Sequence, residues 1–372
     1  MVDPSKSPES FSSWGEFDRR ELLRRGMFVT AGLAALGSAG IGASAARAGR
    51  LAASAPFATT PSYGALNYRL SWIENAQFAG VYVADTYGYY KAAGFSSVHL
   101  MPGGPTASPI ESDVSVGHAF IAPSQPDLTA QAILHGATLK IVAALYQKNP
   151  FAVLSLSTNP IPNPKAMIGK KIGVQASNMV IWNAFLAANN LTASQMDIVP
   201  VQFDLTPLTT GQVDGWFAFY NNEPLELQVK GYKTTTFLLA DYGYPLSSQT
   251  YIVTDNTLQT KRDELKAFLK AEILGWKKAF ATPSLGASLA VNKYGKTLGL
   301  NLKESTLEVA ATKTLATTPD TLRNGLMTMT PKLIAENIDT LGRSGIKITA
   351  AKLFDPSVIH ELYAENPSLR ST

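Results

Sequence analysis

The chain has 372 residues, 45% hydrophobic and 16% charged, with a formal net charge of +4 and no cysteine. That length and composition suit a folded protein of two lobes or domains and argue against disorder. Without cysteine there are no disulfides, thiolate metal sites or cysteine nucleophiles, and so mild a positive charge makes no case for nucleic acid or an anionic membrane.

Residues 1–48 read as an export signal. A polar lead ends in Asp18-Arg19-Arg20-Glu21-Leu22-Leu23-Arg24, and a second register, Arg24-Arg25-Gly26-Met27-Phe28, fits nearly as well. A Gly- and Ala-rich apolar run over 28–46 follows, with a small-x-small end at Ala46-Arg47-Ala48. The arginine pairs resemble the twin-arginine type of signal. The run falls short of the ~20 strongly apolar residues of a membrane span, so cleavage is expected. No cysteine follows it to carry a lipid, so the mature chain is expected to be periplasmic or extracellular without an anchor. Residues 49–66, rich in Ala, Pro, Ser and Thr, read as a flexible linker.

A strand is expected over 67–72. A helix follows from 75 to about 91, where Phe78, Tyr82, Val83 and Tyr87 recur at three- and four-residue spacing before Gly94. A second strand covers 95–101. A third apolar run covers 114–121 and leads through Ser124 and Gln125 into a helix ending near His135; a fourth strand covers 139–145. After a strand at 151–157, the prolines Pro160, Pro162 and Pro164 mark a change of domain. A second set follows: a strand near 169–174, a helix at 179–189, a strand at 198–203 and a helix at 207–214. Beyond 251–254 the pattern turns helical, over 261–281, 285–294, 303–314, 331–344 and 356–362. Alternating strands and helices predict an α/β fold with mostly parallel sheets and a helical tail.

One stretch, GQVDGWFAFYNNEPL at 211–225, sets large aromatic faces beside two amides and a carboxylate. Such a set suits a flat, nitrogen-bearing ligand: rings stack on it while polar groups read its edge. The competing reading is a buried strand running into a turn. The histidines His99, His118, His135 and His360 show no metal-ligand spacing, and there is neither a phosphate-binding glycine loop nor a G-x-S-x-G elbow. No metal, cofactor or catalytic residue is therefore assigned.

Several motifs resemble, in order, the substrate-binding proteins of ABC importers in the thiamine-pyrimidine and sulfonate superfamily. They are Leu70-Ser71-Trp72, Phe78-Ala79-Gly80-Val81-Tyr82-Val83-Ala84, Gly88-Tyr89-Tyr90-Lys91, Gly94-Phe95, Gly104, the stretch 169–174, Pro207-Leu208, Gly211-Gln212-Val213-Asp214 and Asn222-Glu223-Pro224. The resemblance covers roughly 67–254 and implies a type II periplasmic-binding-protein fold, two α/β lobes joined by two crossover strands with ligand in the cleft between them. On that basis 67–150 is the first part of lobe 1, 151–254 holds the crossover strands and lobe 2, and 255–372 returns to lobe 1 and the C-terminal helices. The crossover candidates are 151–157 and 251–254.

In such a cleft the carboxyl ends of strands carry the ligand. Trp72, Asn75 and Gln77 are expected to line lobe 1, with lobe packing the rival reading for Trp72 and helix capping for Asn75. Ser124 and Gln125 follow the third strand, where a plain loop is the alternative. In lobe 2, Gln175, Ser177 and Asn178 open a helix whose free N–H groups could receive an electronegative group, capping being the alternative. Trp182 lies one turn further on, facing either cleft or core. Trp216, Tyr220, Asn222 and Glu223 are expected to read the ligand, Glu223 by accepting two parallel N–H bonds, while Val213 and Phe217 fill the core. Tyr242 and Tyr244 could cover the ligand.

The expected function is delivery of a small aromatic N-heterocycle to an ABC permease and ATPase by a monomer that meets the membrane only through the permease. The resemblance makes a thiamine pyrimidine precursor the first candidate; the stacking area also admits a flavin-like ring. Sulfonate or nitrate ranks lower, because the candidate segments hold no arginine. An alternative is an enzyme similar to the fungal thiamine-pyrimidine synthase. Against it, the chain lacks cysteine, and the loop at 121–129 has neither lysine nor histidine. A receptor signalling through a membrane partner is a third reading.

Overall fold

The computed structural model describes residues 61–104 and 106–370. The expected export signal at 1–48 and most of the expected linker at 49–66 lie outside the described residues. Strands β1 (Gly64–Arg69), β2 (Phe95–Met101), β3 (Ala122–Ser124), β4 (Leu139–Tyr146) and β10 (Ser248–Thr254) build the first lobe. β1 and β2 pair in parallel, with Tyr68 opposite Leu100; Tyr68 also bridges in parallel to Ile121, joining this pair to β3. β10 runs antiparallel between β3 and β4, with Thr250 opposite both Ser124 and Ala144.

The second lobe repeats the plan with β5 (Phe151–Leu156), β6 (Lys171–Gln175), β7 (Asp197–Val201), β8 (Gly215–Phe219) and β9 (Thr234–Leu238), in the order β7-β6-β8-β5-β9. β6 is parallel to β7 and β8, and β5 is antiparallel to β8 and β9. The chain crosses between the sheets at 147–150 and returns over 239–247, so the segments expected to cross, 151–157 and 251–254, are instead β5 of the second sheet and part of β10 of the first. The fold class expected from the alternating pattern is the one observed, with one reversed strand in each lobe.

Helices α1 (Ala79–Thr86), α2 (Tyr89–Ala92), α3 (Ile110–Ser115) and α4 (Pro126–Leu134) belong to the first lobe; α5 (Met179–Ala188), α6 (Thr206–Thr209) and α7 (Glu223–Val229) belong to the second. The C-terminal helices are α8 (Asp255–Thr260), α9 (Arg262–Ala281), α10 (Pro283–Leu289), α11 (Leu302–Ala316), α12 (Pro319–Asn324), α13 (Pro331–Arg343), α14 (Ala350–Leu353) and α15 (Ser357–Glu365). Three expectations need correction. The helix from 75 to 91 is broken at Gly88, whose φ of 71° is left-handed and ends α1. The run at 114–121 is the end of α3 and a loop, and its strand comes later as β3. The helix at 207–214 is the single turn α6.

Two glycines let α1 and α9 touch backbone to backbone. A Cβ on Gly275 would lie 2.2 Å from the Gly80 carbonyl oxygen, and one on Gly80 would lie 2.2 Å from the Trp276 indole. The contact closes the first lobe's core, where Tyr68, Phe78, Tyr82, Phe268 and Trp276 are buried. A second apolar cluster runs from Ile141 and Ala144 in the first lobe to Phe151, Trp182 and Phe217 in the second. A third lies on the other face of the second sheet, among Leu154, Leu205, Leu208, Trp216 and Leu227.

Candidate ligand site at the seam between the lobes

The first lobe's wall starts where β1 ends. Arg69 is buried and holds this corner: its Nε donates to Asp113 at 2.7 Å, and its guanidinium also reaches the carbonyls of Leu70 and Met101. The following loop carries half-buried Trp72, whose ring meets Phe203 of the second lobe edge-on at 4.9 Å. Asn75 caps the short helix Ala76–Phe78, its side chain accepting the Gln77 N–H. The Gln77 amide approaches Ser71 Oγ at 3.5 Å.

Other expected residues serve their own lobes. Ser124 is buried and donates to the Glu111 carboxyl, which burial holds above the ordinary range. Gln125 is the N-cap residue of α4 but makes no capping bond. Gln175 donates to the Phe217 carbonyl at 3.1 Å, and Asn178 donates to the Gln175 side chain at 2.9 Å, so this pair braces β6 to β8. Trp182 is in the core, and Ser177 is exposed. Tyr244 is buried and donates to Asp127 of α4 at 3.0 Å, tying the return crossover to the first lobe.

Trp216 and Tyr242 are corrected. Successive residues of a strand point to opposite faces. In β8, Phe217 therefore packs beside Phe151 and Trp182, while Trp216 and Ala218 turn to the α6–α7 side. Trp216 is fully buried, its ring pressed against Gly173, so it fills the core instead of reading ligand. Tyr242 packs edge-on against Phe237 at 5.2 Å, and its carbonyl accepts from Asn189 at 2.7 Å, which holds it to the α5 side of its own lobe.

The end of β8 does reach the seam. Tyr220 is half-buried against the first lobe's core, and Asn222 takes the N-cap position of α7 without a capping bond. Glu223 opens α7, and its Oε2 accepts the Phe219 N–H at 2.7 Å. Burial pushes its carboxyl up to about 7, against the pull of that hydrogen bond. The charged groups acting on it, Glu226 and Glu304, are themselves acidic.

Sequence reading took α11 for part of a helical tail, yet this helix contacts both the Ala76–Phe78 turn and α7. Glu304, Glu308 and Thr312 recur on it every four residues, along one face. Glu308 is buried and takes a backbone hydrogen bond from Gln77; burial holds its carboxyl well above the ordinary range, with Glu304 and Glu223 adding like charge. Thr312 accepts from Asn221 at 2.9 Å, and Asn221 also donates to Tyr146 at 3.2 Å. The polar period at 304, 308 and 312 was the available signal; nothing local says that this face is buried. Carboxyls from two elements, with half-buried Trp72, Phe203 and Tyr220, can accept ring N–H groups and pack on a flat ring.

The family model described as NMT1/THI5 like matches residues 75–285. A riboflavin-binding protein, RibY, of Chloroflexus aurantiacus is 26% identical over 64% of this chain and 69% of its own length. A formylaminopyrimidine-binding protein of Halalkalibacterium halodurans is 25% identical over 56% of this chain and 64% of its own. Among solved structures, the periplasmic aliphatic sulphonate binding protein SsuA of Escherichia coli aligns with a TM-score of 0.56 at 15% identity, covering 82% of this chain and 88% of that one. These relatives are named as binding proteins, and SsuA shares the two-lobed periplasmic-binding-protein fold.

Proposed function

This chain belongs to the NMT1/THI5 like family, and on that premise we propose that it is the exported solute-binding protein of an ABC importer. It holds a small aromatic N-heterocycle between its lobes, a thiamine-type aminopyrimidine precursor or a flavin-like ring, and presents it to the permease and ATPase as a monomer. The observation that carries the reading is Glu223. This carboxyl sits at the seam with acidic neighbours and backbone N–H groups around it, a setting that favours a ligand bringing N–H donors of its own. The two relatives named for riboflavin and formylaminopyrimidine support the same ring class. Sulfonate fits less well, because the seam groups are carboxyls and amides.

Titration of the purified protein with a formylaminopyrimidine, with riboflavin and with an alkanesulfonate tests this, with tryptophan fluorescence as the readout. Quenching by either ring compound is the expected result. Tight sulfonate binding with no response to the rings would overturn it.

A further inference from the structure

We propose that Gln249 is a ligand-reading residue on the floor of the seam, taking a ring edge that carries a hydrogen-bond donor beside an acceptor. The inference rests on the solute-binding reading above and extends it to a residue on the return crossover. Gln249 is 3% exposed, and neither its amide nitrogen nor its amide oxygen has a hydrogen-bond partner. Its φ of 47° is left-handed, a conformation a long side chain adopts rarely and under strain. A glycine here would avoid both the strain and the unpaired amide. Two penalties on one residue are the pattern of a group kept for what it contacts.

The strand pairing places Gln249. Ser248, one residue before it, pairs with Tyr146, and the Tyr146 hydroxyl accepts from Asn221 at the end of β8. Gln249 thus lies where the return strand enters the first lobe, next to the point where the second lobe is tied on. Two further buried atoms nearby are unpaired, Asn221 Oδ1 and Asn149 Nδ2; Asn149 lies on the outgoing crossover, whose Pro150 carbonyl takes the Tyr220 N–H at 2.7 Å. Folded proteins leave few such atoms unpaired; among the described residues Gln249, Thr250, Asn221 and Asn149 carry such atoms beside the crossovers, and the others lie on Tyr68, Tyr82, Trp182, Trp216, Asp255 and Trp276. A primary amide sets a carbonyl beside an NH2, complementary to a lactam, an imide or an aminopyrimidine edge. Ionised Glu223 accepts only, so the pair would distinguish the two sides of a ring.

The test titrates riboflavin and a formylaminopyrimidine against the wild-type protein, Gln249→Gly and Gln249→Asn. Glycine tolerates the left-handed backbone, so Gln249→Gly is expected to keep or raise the melting temperature and to lose about tenfold or more in affinity. Asparagine keeps the amide and also tolerates this conformation, so Gln249→Asn is expected to recover part of the loss. Wild-type affinity in Gln249→Gly would overturn the role of Gln249 and leave the heterocycle reading standing. A loss of affinity that only follows a lowered melting temperature would make the residue a structural brace and overturn the proposal. No binding of either ring by the wild type would overturn both readings.

Discussion

The Asn221 side-chain amide donates to Thr312 Oγ1 at 2.9 Å, fastening the end of β8 in the second lobe to α11. With the Asn221–Tyr146 bond at 3.2 Å, it holds the two lobes at their seam. Thr312→Val keeps the shape and removes the acceptor. The variant is expected to lose about 1 kcal/mol of lobe closure, which appears as roughly fivefold weaker heterocycle binding. Small-angle scattering of the free protein should show a larger radius of gyration. Unchanged affinity and dimensions would mean that the bond does not contribute to closure.

The two tryptophans expected to share one job should separate on mutation. Trp72→Ala removes a half-buried face that touches Phe203 and is expected to weaken ring binding by about 0.5–1.5 kcal/mol with little change in melting temperature. Trp216→Ala hollows out the second lobe's core and is expected to destabilise the fold by about 3–5 kcal/mol in denaturant titrations.

Ligand affinity should depend on pH through Glu223. With its carboxyl pushed up to about 7, the group is largely protonated at pH 6 and ionised at pH 8. A ligand that donates N–H bonds binds the ionised form, so aminopyrimidine affinity is expected to rise as pH passes through about 7 and then level off. Burial is the main cause of the raised carboxyl value, and the like charges of Glu226 and Glu304 add to it. Glu223→Gln is expected to flatten it and to weaken binding by about 1–3 kcal/mol. A profile unaltered in Glu223→Gln would remove Glu223 from the site.

Stability should carry a pH dependence from a different carboxyl. Glu272 of α9 is fully buried and accepts from Tyr251 at 2.7 Å and from Tyr90; burial pushes it up to about 7. Its folded value lies above its unfolded one, so its contribution is fully present below about pH 4.5 and is lost as pH rises through about 7. That loss is about 3 kcal/mol. Glu272→Gln is expected to reduce the fall in stability between these values, measured by urea titration at several pH values.

Much of the architecture was legible because its causes are local. Turn glycines such as Gly94 and the alternation of strands with helices announce an α/β chain, and family-like motifs from 70 to 224 suggested how its two sets join; the prolines at 160, 162 and 164, expected to mark a change of domain, follow β5 inside the second lobe. Glu223 stood out in the sequence as a carboxylate behind an aromatic strand and before a proline, and it remains the proposed reader; the fold also gives it a local partner in the Phe219 N–H.

The site was less legible because its remaining parts depend on long-range packing. In GWFAF every residue is apolar, so nothing in the stretch says which face meets the seam; the pleat and the sheet order turn Trp216 inward. Asn75, Gln175 and Asn178 are polar at strand ends, as a reader would be, but neighbouring backbone and amide groups claim them once the chain folds. Glu308 and Thr312 lie some 85–95 residues beyond β8, and only the return of α11 against α7 brings them to Glu223 and Asn221. The amino-acid order by itself settled the kinds of elements and their succession, because hydrophobic period and turn chemistry are written within a few residues. The proposed ligand wall was decided by tertiary structure, because it is assembled from separate segments that meet only when two sheets and a distant helix bury their apolar faces together.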